Sequence, residues 1–194
     1  GATQVGKTWF KILTALCGKQ QDVATIIVTT TVSGALELTR KIGLVLEQYG
    51  VGVAYYTREW KEGNFCSAKR DGSRRTMLTR VFQNSGCIIL ANTNYQIQGM
   101  MRVIRDHVAE TREKRMHYSL ILDEADEMMM RPNEKRNPQY IIKLDEFRHG
   151  FYEGTFGVGC YCGPLLNISV SATLVSVLID CAKRGDNTNR QFYF

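Results

Sequence analysis

Gly1-Ala2-Thr3-Gln4-Val5-Gly6-Lys7-Thr8 and Ile121-Leu122-Asp123-Glu124-Ala125-Asp126 are the two stretches of this chain that decide its fold. The first fits the pattern G-x-x-x-x-G-K-[ST]. In that pattern backbone N–H groups of a loop face phosphates, the lysine reaches the β- and γ-phosphates, and the hydroxyl coordinates Mg²⁺. The second places adjacent carboxylates where a buried strand would end, so that Asp123 can hold Mg²⁺ and Glu124 can orient and deprotonate a water. Together they predict a site that binds ATP and Mg²⁺ and hydrolyses the nucleotide.

The context of the first stretch supports this interpretation. Residues 7–17 have the apolar spacing of a helix, and Gly18 is a candidate C-cap. A phosphate loop must open a helix, because the helix N-terminus supplies free N–H groups and positive potential. We therefore expect all eight residues from Gly1 to Thr8 to contact the nucleotide. The alternatives are a glycine-containing surface turn for the first stretch and an acidic helix start for residues 123–126.

Helical and strand-like patterns alternate along the chain, which indicates a parallel sheet between two layers of helices. Residues 57–75 are polar and loop-like, and residues 131–165 have the least regular pattern. We predict an α/β fold, a three-layer RecA-like P-loop domain with a mostly parallel central sheet. The predicted helices are residues 7–17, 35–49, 76–84, 94–115 and 174–182, and the predicted strands are residues 23–28, 51–56, 87–90 and 118–122.

Polar segments follow the predicted strands and should therefore meet. In an open sheet of this kind, ligands bind outside the carboxyl ends of the strands. We expect five segments at that one edge, namely Gly1–Thr8, Thr29–Thr31, Ala91–Asn94, Asp123–Asp126 and Ser171–Thr173.

Asp-Glu-Ala-Asp at residues 123–126, downstream of Gly6-Lys7-Thr8, resembles the superfamily 2 helicases, and the DEAD-box branch most literally. The run Ile168–Thr173, which ends in Ser-Ala-Thr, is similar to the third motif of that superfamily. These matches extend from Gly1 to Thr173. The resemblance implies the first RecA-like ATP-binding domain of a helicase. In it Lys7 and Glu124 would be catalytic, Thr8 and Asp123 would hold Mg²⁺, and Asp126 would couple to Ser171 or Thr173.

The chain also departs from the DEAD-box pattern. It begins at the phosphate loop, so the upstream adenine-reading glutamine motif is absent. Thr29–Gly34 stands where the family has Pro-Thr-Arg-Glu-Leu-Ala, and Ala91–Asn94 stands where it has Thr-Pro-Gly-Arg. The stretch between Asp126 and Ser171 is longer than is usual in the family. We therefore interpret the chain as a divergent member.

The charge of the chain suits a polyanionic partner, DNA or RNA. The formal net charge is +6 and the sequence pI is about 9.0. Candidate phosphate contacts are Thr30, Thr31, Thr93 and Asn94, whose hydroxyls and amides can position a strand without reading its bases. Strand-end capping is the alternative role for these four. Arg74 and Arg75 are candidates within a basic segment, residues 58–80, for which a solvated loop is the alternative.

Composition bounds the rest of the interpretation. We expect residues 1–194 to form a single domain, a fragment that lacks the upstream first strand and the second RecA-like domain. Among the six cysteines there is no C-x-x-C pair, so we expect reduced thiols, buried in apolar patterns at Cys17, Cys87 and Cys181. These features predict an intracellular protein, cytoplasmic or nuclear, with no structural zinc and no membrane partner.

The leading functional hypothesis is a nucleic-acid-dependent ATPase, the N-terminal motor domain of a superfamily 2 helicase or translocase. A second RecA-like domain in cis would close over ATP, so the chain alone should hydrolyse ATP slowly. The alternatives are a degenerate nucleic-acid-binding clamp without motor activity and a P-loop small-molecule kinase. The sequence leaves open whether the partner is DNA or RNA and which residues would recognise adenine.

Overall fold

The structure, a computed structural model, describes residues 3–56, 74–111, 115–124, 146–148, 150–155 and 158–170. Helices and strands alternate over most of this length, as the sequence predicts. The helices are α1 (Thr3–Gln20), α2 (Val32–Gln48), α3 (Arg74–Gln83) and α4 (Asn94–Thr111). The strands are β1 (Ala24–Thr29), β2 (Val53–Tyr56), β3 (Cys87–Ala91), β4 (Arg115–Asp123), β5 (Phe151–Thr155) and β6 (Val158–Val170).

The strands form one sheet in the order β2-β3-β1-β4-β6-β5. Five of them are parallel, and only β5 runs antiparallel, paired with β6. In the register Thr29 pairs with Ala91, Val28 with Leu122, and Asp123 with Val170. The carboxyl ends of β1, β3, β4 and β6 therefore lie side by side, with β1 and β4 at the centre.

Helices cover both faces of the sheet. α1 contacts α2, β1 and β4, whereas α3 and α4 contact each other and pack on β3. β1 and β3 consist mainly of apolar residues, and every residue of both strands is buried, as is typical of strands covered on both sides. The predicted three-layer α/β fold with a mostly parallel sheet is confirmed and is consistent with a RecA-like arrangement.

Two predicted helix ends have different outcomes. The helix predicted to end at residue 49 is followed by Gly50, which has a φ of 74° and whose N–H donates to the Glu47 carbonyl at 3.0 Å, as is typical of a glycine that ends a helix. Gly18 was predicted to cap α1 but lies inside it. A Cβ there would stand 2.6 Å from the Val23 carbonyl oxygen. Gly18 therefore allows the chain leaving α1 to pass close to the helix.

Part of the segment with the least regular pattern is in fact regular. Residues 151–155 and 158–170 form β5 and β6, which pair with each other at one side of the sheet. Just before them, Phe147 is fully buried and stacks on Tyr118, with ring centroids 5.4 Å apart. The Tyr118 hydroxyl donates to the Phe147 carbonyl at 2.6 Å. Contacts with β4 thus fix the conformation of residues whose local sequence, rich in residues that favour turns, did not indicate a regular structure.

The two described free cysteines differ. Cys87 is buried in β3, and burial raises the pKa of its thiol to about 12. Cys17 is exposed on α1, so its predicted burial is wrong. The apolar pattern of α1 misleads there because Trp9 and Leu13, on the same side of the helix, are also exposed. Cys181 lies outside the described residues. Within the described part of the chain, no helix is long and apolar enough to cross a membrane.

Candidate functional site

The site is built where α1 passes the end of β4. Lys7 and Lys11 are one turn apart on α1 and so lie on the same face of the helix. Lys11 Nζ lies 2.5 Å from Asp123 Oδ2, and Lys7 Nζ lies 3.9 Å from Glu124 Oε1. Two successive carboxylates at the end of a central strand thus meet two successive lysines of one helix.

The backbone at Glu124 explains how both carboxylates reach α1. Successive side chains of a strand point to opposite faces of the sheet, so Glu124 would point away from α1 if β4 continued. β4 ends at Asp123, and Glu124 has a φ of 53°. That left-handed conformation costs a non-glycine residue about 1 kcal/mol or more. It turns the chain at the point where the carboxylate meets Lys7.

The two ion pairs differ in burial and therefore in strength. The Lys11 and Asp123 side chains are 5% and 14% exposed, whereas those of Lys7 and Glu124 are 18% and 47% exposed. An exposed pair near 4 Å stabilises a protein by about 0–1 kcal/mol. A buried pair is different, because removal of one partner leaves an uncompensated charge. Lys11 is thus fixed in the structure, whereas Lys7 can exchange Glu124 for another anion at little cost.

α1 begins earlier than the phosphate-loop prediction requires. Thr3–Gly6 are already helical, and in a helix the N–H groups of Lys7 and Thr8 donate to the carbonyls four residues earlier. The N–H groups without a partner inside the helix are those of its first four residues, Thr3 to Gly6. These four residues form the turn just before Lys7, and that turn is helical and not an open loop.

The turns after β1 and β3 complete the same edge. The Thr31 hydroxyl caps α2 by accepting from Gly34 N–H at 3.0 Å, and the Thr93 hydroxyl accepts from Gln96 N–H at 3.3 Å in the first turn of α4. The Asn92 N–H donates to the Thr29 carbonyl at 2.7 Å, which joins the two turns. Thr31 and Thr93 thus cap the starts of helices, a role that the sequence analysis did not name, since its alternative was the capping of strand ends. A capping hydroxyl still has a proton to donate to a phosphate.

The remaining predicted site residues are distributed as follows. Thr8 is half-buried in α1, Thr30 is half-buried between β1 and α2, and Asn94 is exposed at the start of α4. Arg74 and Arg75 begin α3. The structure describes the backbone but not the side chains of Thr3, Gln4, Val5, Arg74 and Arg75. Gly1, Ala2, Asp126, Ser171 and Thr173 lie outside the described residues.

Two residues of the site were missed by the sequence analysis. Lys11 is 4% exposed and lies on the buried side of α1 with Ile12 and Ala15. A lysine at that spacing, one turn after Lys7, was the available signal. Gln96 is 2% exposed, and its side-chain oxygen accepts from the Ala91 N–H at 2.6 Å, which shapes the end of β3. No pattern in the sequence indicated that contact.

No family model, curated protein or solved structure matches the chain. Within the described residues, no group of three or more histidine, cysteine, aspartate or glutamate side chains is placed to hold a metal ion. Mg²⁺ in nucleotide sites does not need such a group, because one or two protein oxygens, phosphates and waters complete its shell.

Proposed function

We propose that this chain is a nucleic-acid-dependent ATPase, the N-terminal motor domain of a divergent superfamily 2 helicase or translocase. The observation that carries the proposal is the meeting of Lys7 and Lys11 with Asp123 and Glu124 at the carboxyl edge of a parallel sheet. That edge is where ligands bind in open α/β sheets. The helix N-terminus beside it favours an anion.

Each residue has a distinct role in the proposed reaction. The ammonium group of Lys7, only weakly held by Glu124, would bind the β- and γ-phosphate oxygens. Glu124 would accept the proton of a water whose oxygen attacks the γ-phosphorus, while the bond to the bridging β–γ oxygen breaks and ADP leaves. Hydrolysis thus needs a cation that binds the phosphates and, next to it, a base that accepts the proton of the water. Lys7 and Glu124 are close enough for these two roles, because Lys7 Nζ lies 3.9 Å from Glu124 Oε1.

The two proposed Mg²⁺ ligands are both oxygen groups. Thr8 offers a hydroxyl and Asp123 a carboxylate, and hard divalent cations prefer oxygen ligands. When bound, Mg²⁺ would neutralise charge that develops on the transferred phosphoryl group. Lys11 contacts Oδ2 of Asp123, so the other carboxylate oxygen, Oδ1, is the one that would coordinate Mg²⁺.

One observation favours the clamp as a second candidate. The helical conformation of Thr3–Gly6 does not form the open phosphate cradle that a P-loop enzyme uses. A protein that binds nucleic acid along this edge without hydrolysis would not need that cradle. No contact of the described residues favours the small-molecule kinase.

Steady-state ATP hydrolysis with and without single-stranded DNA and RNA tests the proposal. An ATPase activity that nucleic acid stimulates and that Glu124→Gln abolishes supports it. Binding of nucleic acid with no hydrolysis, even with enzyme in excess over ATP, would favour the clamp. Lys41→Ala, which removes an exposed pair with Glu37 on α2, is the matched control and should leave every rate unchanged.

A further inference from the structure

Lys11 has a role that neither the phosphate-loop pattern nor the helicase resemblance assigns. Its ammonium group is too buried, at 5% side-chain exposure, to meet a phosphate that binds at the edge of the sheet. It forms an ion pair with Asp123, the carboxylate that would hold Mg²⁺ in the proposed ATPase. Lys11 therefore acts on the site through Asp123.

The charges set what Asp123 can bind. A buried carboxylate with no countercharge would attract any cation strongly, because the interaction of two charges grows as the effective dielectric constant falls. Lys11 already supplies one positive charge 2.5 Å from Oδ2. A free divalent cation at Asp123 would have to compete with this ammonium group and would be repelled by it. A cation that arrives with the negative charges of a triphosphate would not meet the same net repulsion.

We propose that Lys11 is a positioning residue that balances the charge of Asp123 and suppresses the binding of a free divalent cation there. The inference rests on the proposed function for the meaning of the site: in that ATPase, the metal binds as its complex with the nucleotide. Glu124 cannot substitute for Asp123 in this respect, because it is half exposed and its pair with Lys7 is long.

Binding of Mn²⁺ alone, measured by the loss of the free-ion signal in electron paramagnetic resonance, tests the inference without any catalytic step. Lys11→Gln removes the charge and keeps an N–H donor for Asp123, and Lys11→Met removes both. Both should bind Mn²⁺ at least about tenfold more tightly than the parent protein, which corresponds to about 1.4 kcal/mol. Lys11→Arg keeps the charge and should bind Mn²⁺ as the parent does.

Two further arms make the result decisive. Adding Asp123→Asn to Lys11→Gln should abolish the gain, and a gain that survives would place the new metal site elsewhere and overturn the inference. The parent protein needs no substitution for the second arm: it should bind Mn-ATP at least about tenfold more tightly than free Mn²⁺. Equal affinity for the two would contradict the binding of the metal as its nucleotide complex, which belongs to the proposed function. Neutral Lys11 variants that bind Mn²⁺ no better than the parent would overturn the charge balance itself.

The outcomes separate this inference from the proposed function. Tight Mn²⁺ binding by Lys11→Gln that depends on Asp123, combined with no hydrolysis of ATP under any condition, would support the charge balance and contradict the ATPase. Stimulated hydrolysis with no effect of Lys11→Gln on Mn²⁺ would support the ATPase and contradict the role of Lys11. Circular dichroism establishes in each case that the variant is folded.

Discussion

Lys11 of α1, which is buried, and Asp123 of β4, which is 14% exposed, form an ion pair with Nζ 2.5 Å from Oδ2. The pair joins the first described helix to the central strand that ends at the candidate site. It fixes the position of α1 over β4 and therefore the position of Lys7, one turn earlier, beside Glu124. The geometry of the candidate site thus depends on an ion pair whose side chains are less exposed than those of Lys7 and Glu124.

We expect Lys11→Met and Asp123→Leu to lower the free energy of unfolding by about 3 kcal/mol each, because either change leaves a buried charge without its partner. The double variant should lose much less than the sum, since it leaves no uncompensated charge. Urea unfolding of the four proteins gives the coupling energy. Additive losses would show that the pair contributes nothing as a pair.

Lys7→Ala should weaken Mg-ATP binding at least tenfold, or by about 1.4 kcal/mol, because it removes the cation that meets the β- and γ-phosphates. Titration calorimetry measures this directly. Stability should change little, since the contact with Glu124 is long and partly exposed. Lys41→Ala is the control for loss of a surface lysine. If Lys7→Ala leaves the affinity for Mg-ATP unchanged, the assignment of Lys7 to the phosphate site is wrong.

Glu124→Gln should keep ATP binding and reduce turnover by about 10²-fold or more, the usual effect of losing a catalytic base. The amide keeps the shape of the side chain but cannot accept the proton. Single-turnover hydrolysis with excess protein separates binding from chemistry. Survival of hydrolysis near the parent rate would exclude Glu124 as the base.

A stability comparison at the same position isolates the backbone effect. Because Glu124 has a φ of 53°, Glu124→Gly should be more stable than Glu124→Ala by about 1 kcal/mol. Chemical denaturation measures the difference. If alanine is tolerated as well as glycine, the left-handed conformation is not maintained in solution.

Gly6→Ala should stabilise α1 by up to about 1 kcal/mol, the difference in helix propensity between the two residues. An added Cβ meets nothing within 4 Å. If ATP binding needs Thr3–Gly6 to open into a phosphate loop, the same change should weaken ATP binding while it raises the melting temperature. Gly18→Ala is the contrasting control and should destabilise the protein, because its Cβ would clash with the Val23 carbonyl. Equal or tighter ATP binding by Gly6→Ala would show that the helical turn is the binding conformation.

Nucleic-acid binding should be salt-sensitive and largely independent of sequence, because hydroxyls, amides and basic side chains meet phosphates and not base edges. Changing Arg74 and Arg75 to alanine should flatten the slope of log K against log salt by roughly one to two units if both contact a single strand. Fluorescence anisotropy over a salt series measures the slope. An unchanged slope would move the binding track to Thr31, Thr93 and Asn94.

Periodicity and strand-end chemistry in the sequence determined the α/β class, the parallel sheet, and the edge at which Asp123 and the turns after β1 and β3 meet. These features follow from local patterns. A strand covered on both faces is a run of mainly apolar residues, and the carboxyl ends of parallel strands lie at the same edge of the sheet. The same patterns placed Lys7 and Glu124 in one site, although they are far apart in the chain.

Only the tertiary structure decided that Lys11 pairs with Asp123, that Gln96 bonds back to Ala91, that residues 151–155 are a strand, and that β6 begins as early as Val158. It also decided that Glu124 takes a left-handed backbone and that Thr3–Gly6 are helical, where the sequence predicted a loop. A pattern of residue types records what each position prefers by itself. The partner of a buried charge, and the conformation that brings it there, depend on packing between segments that are distant in the chain.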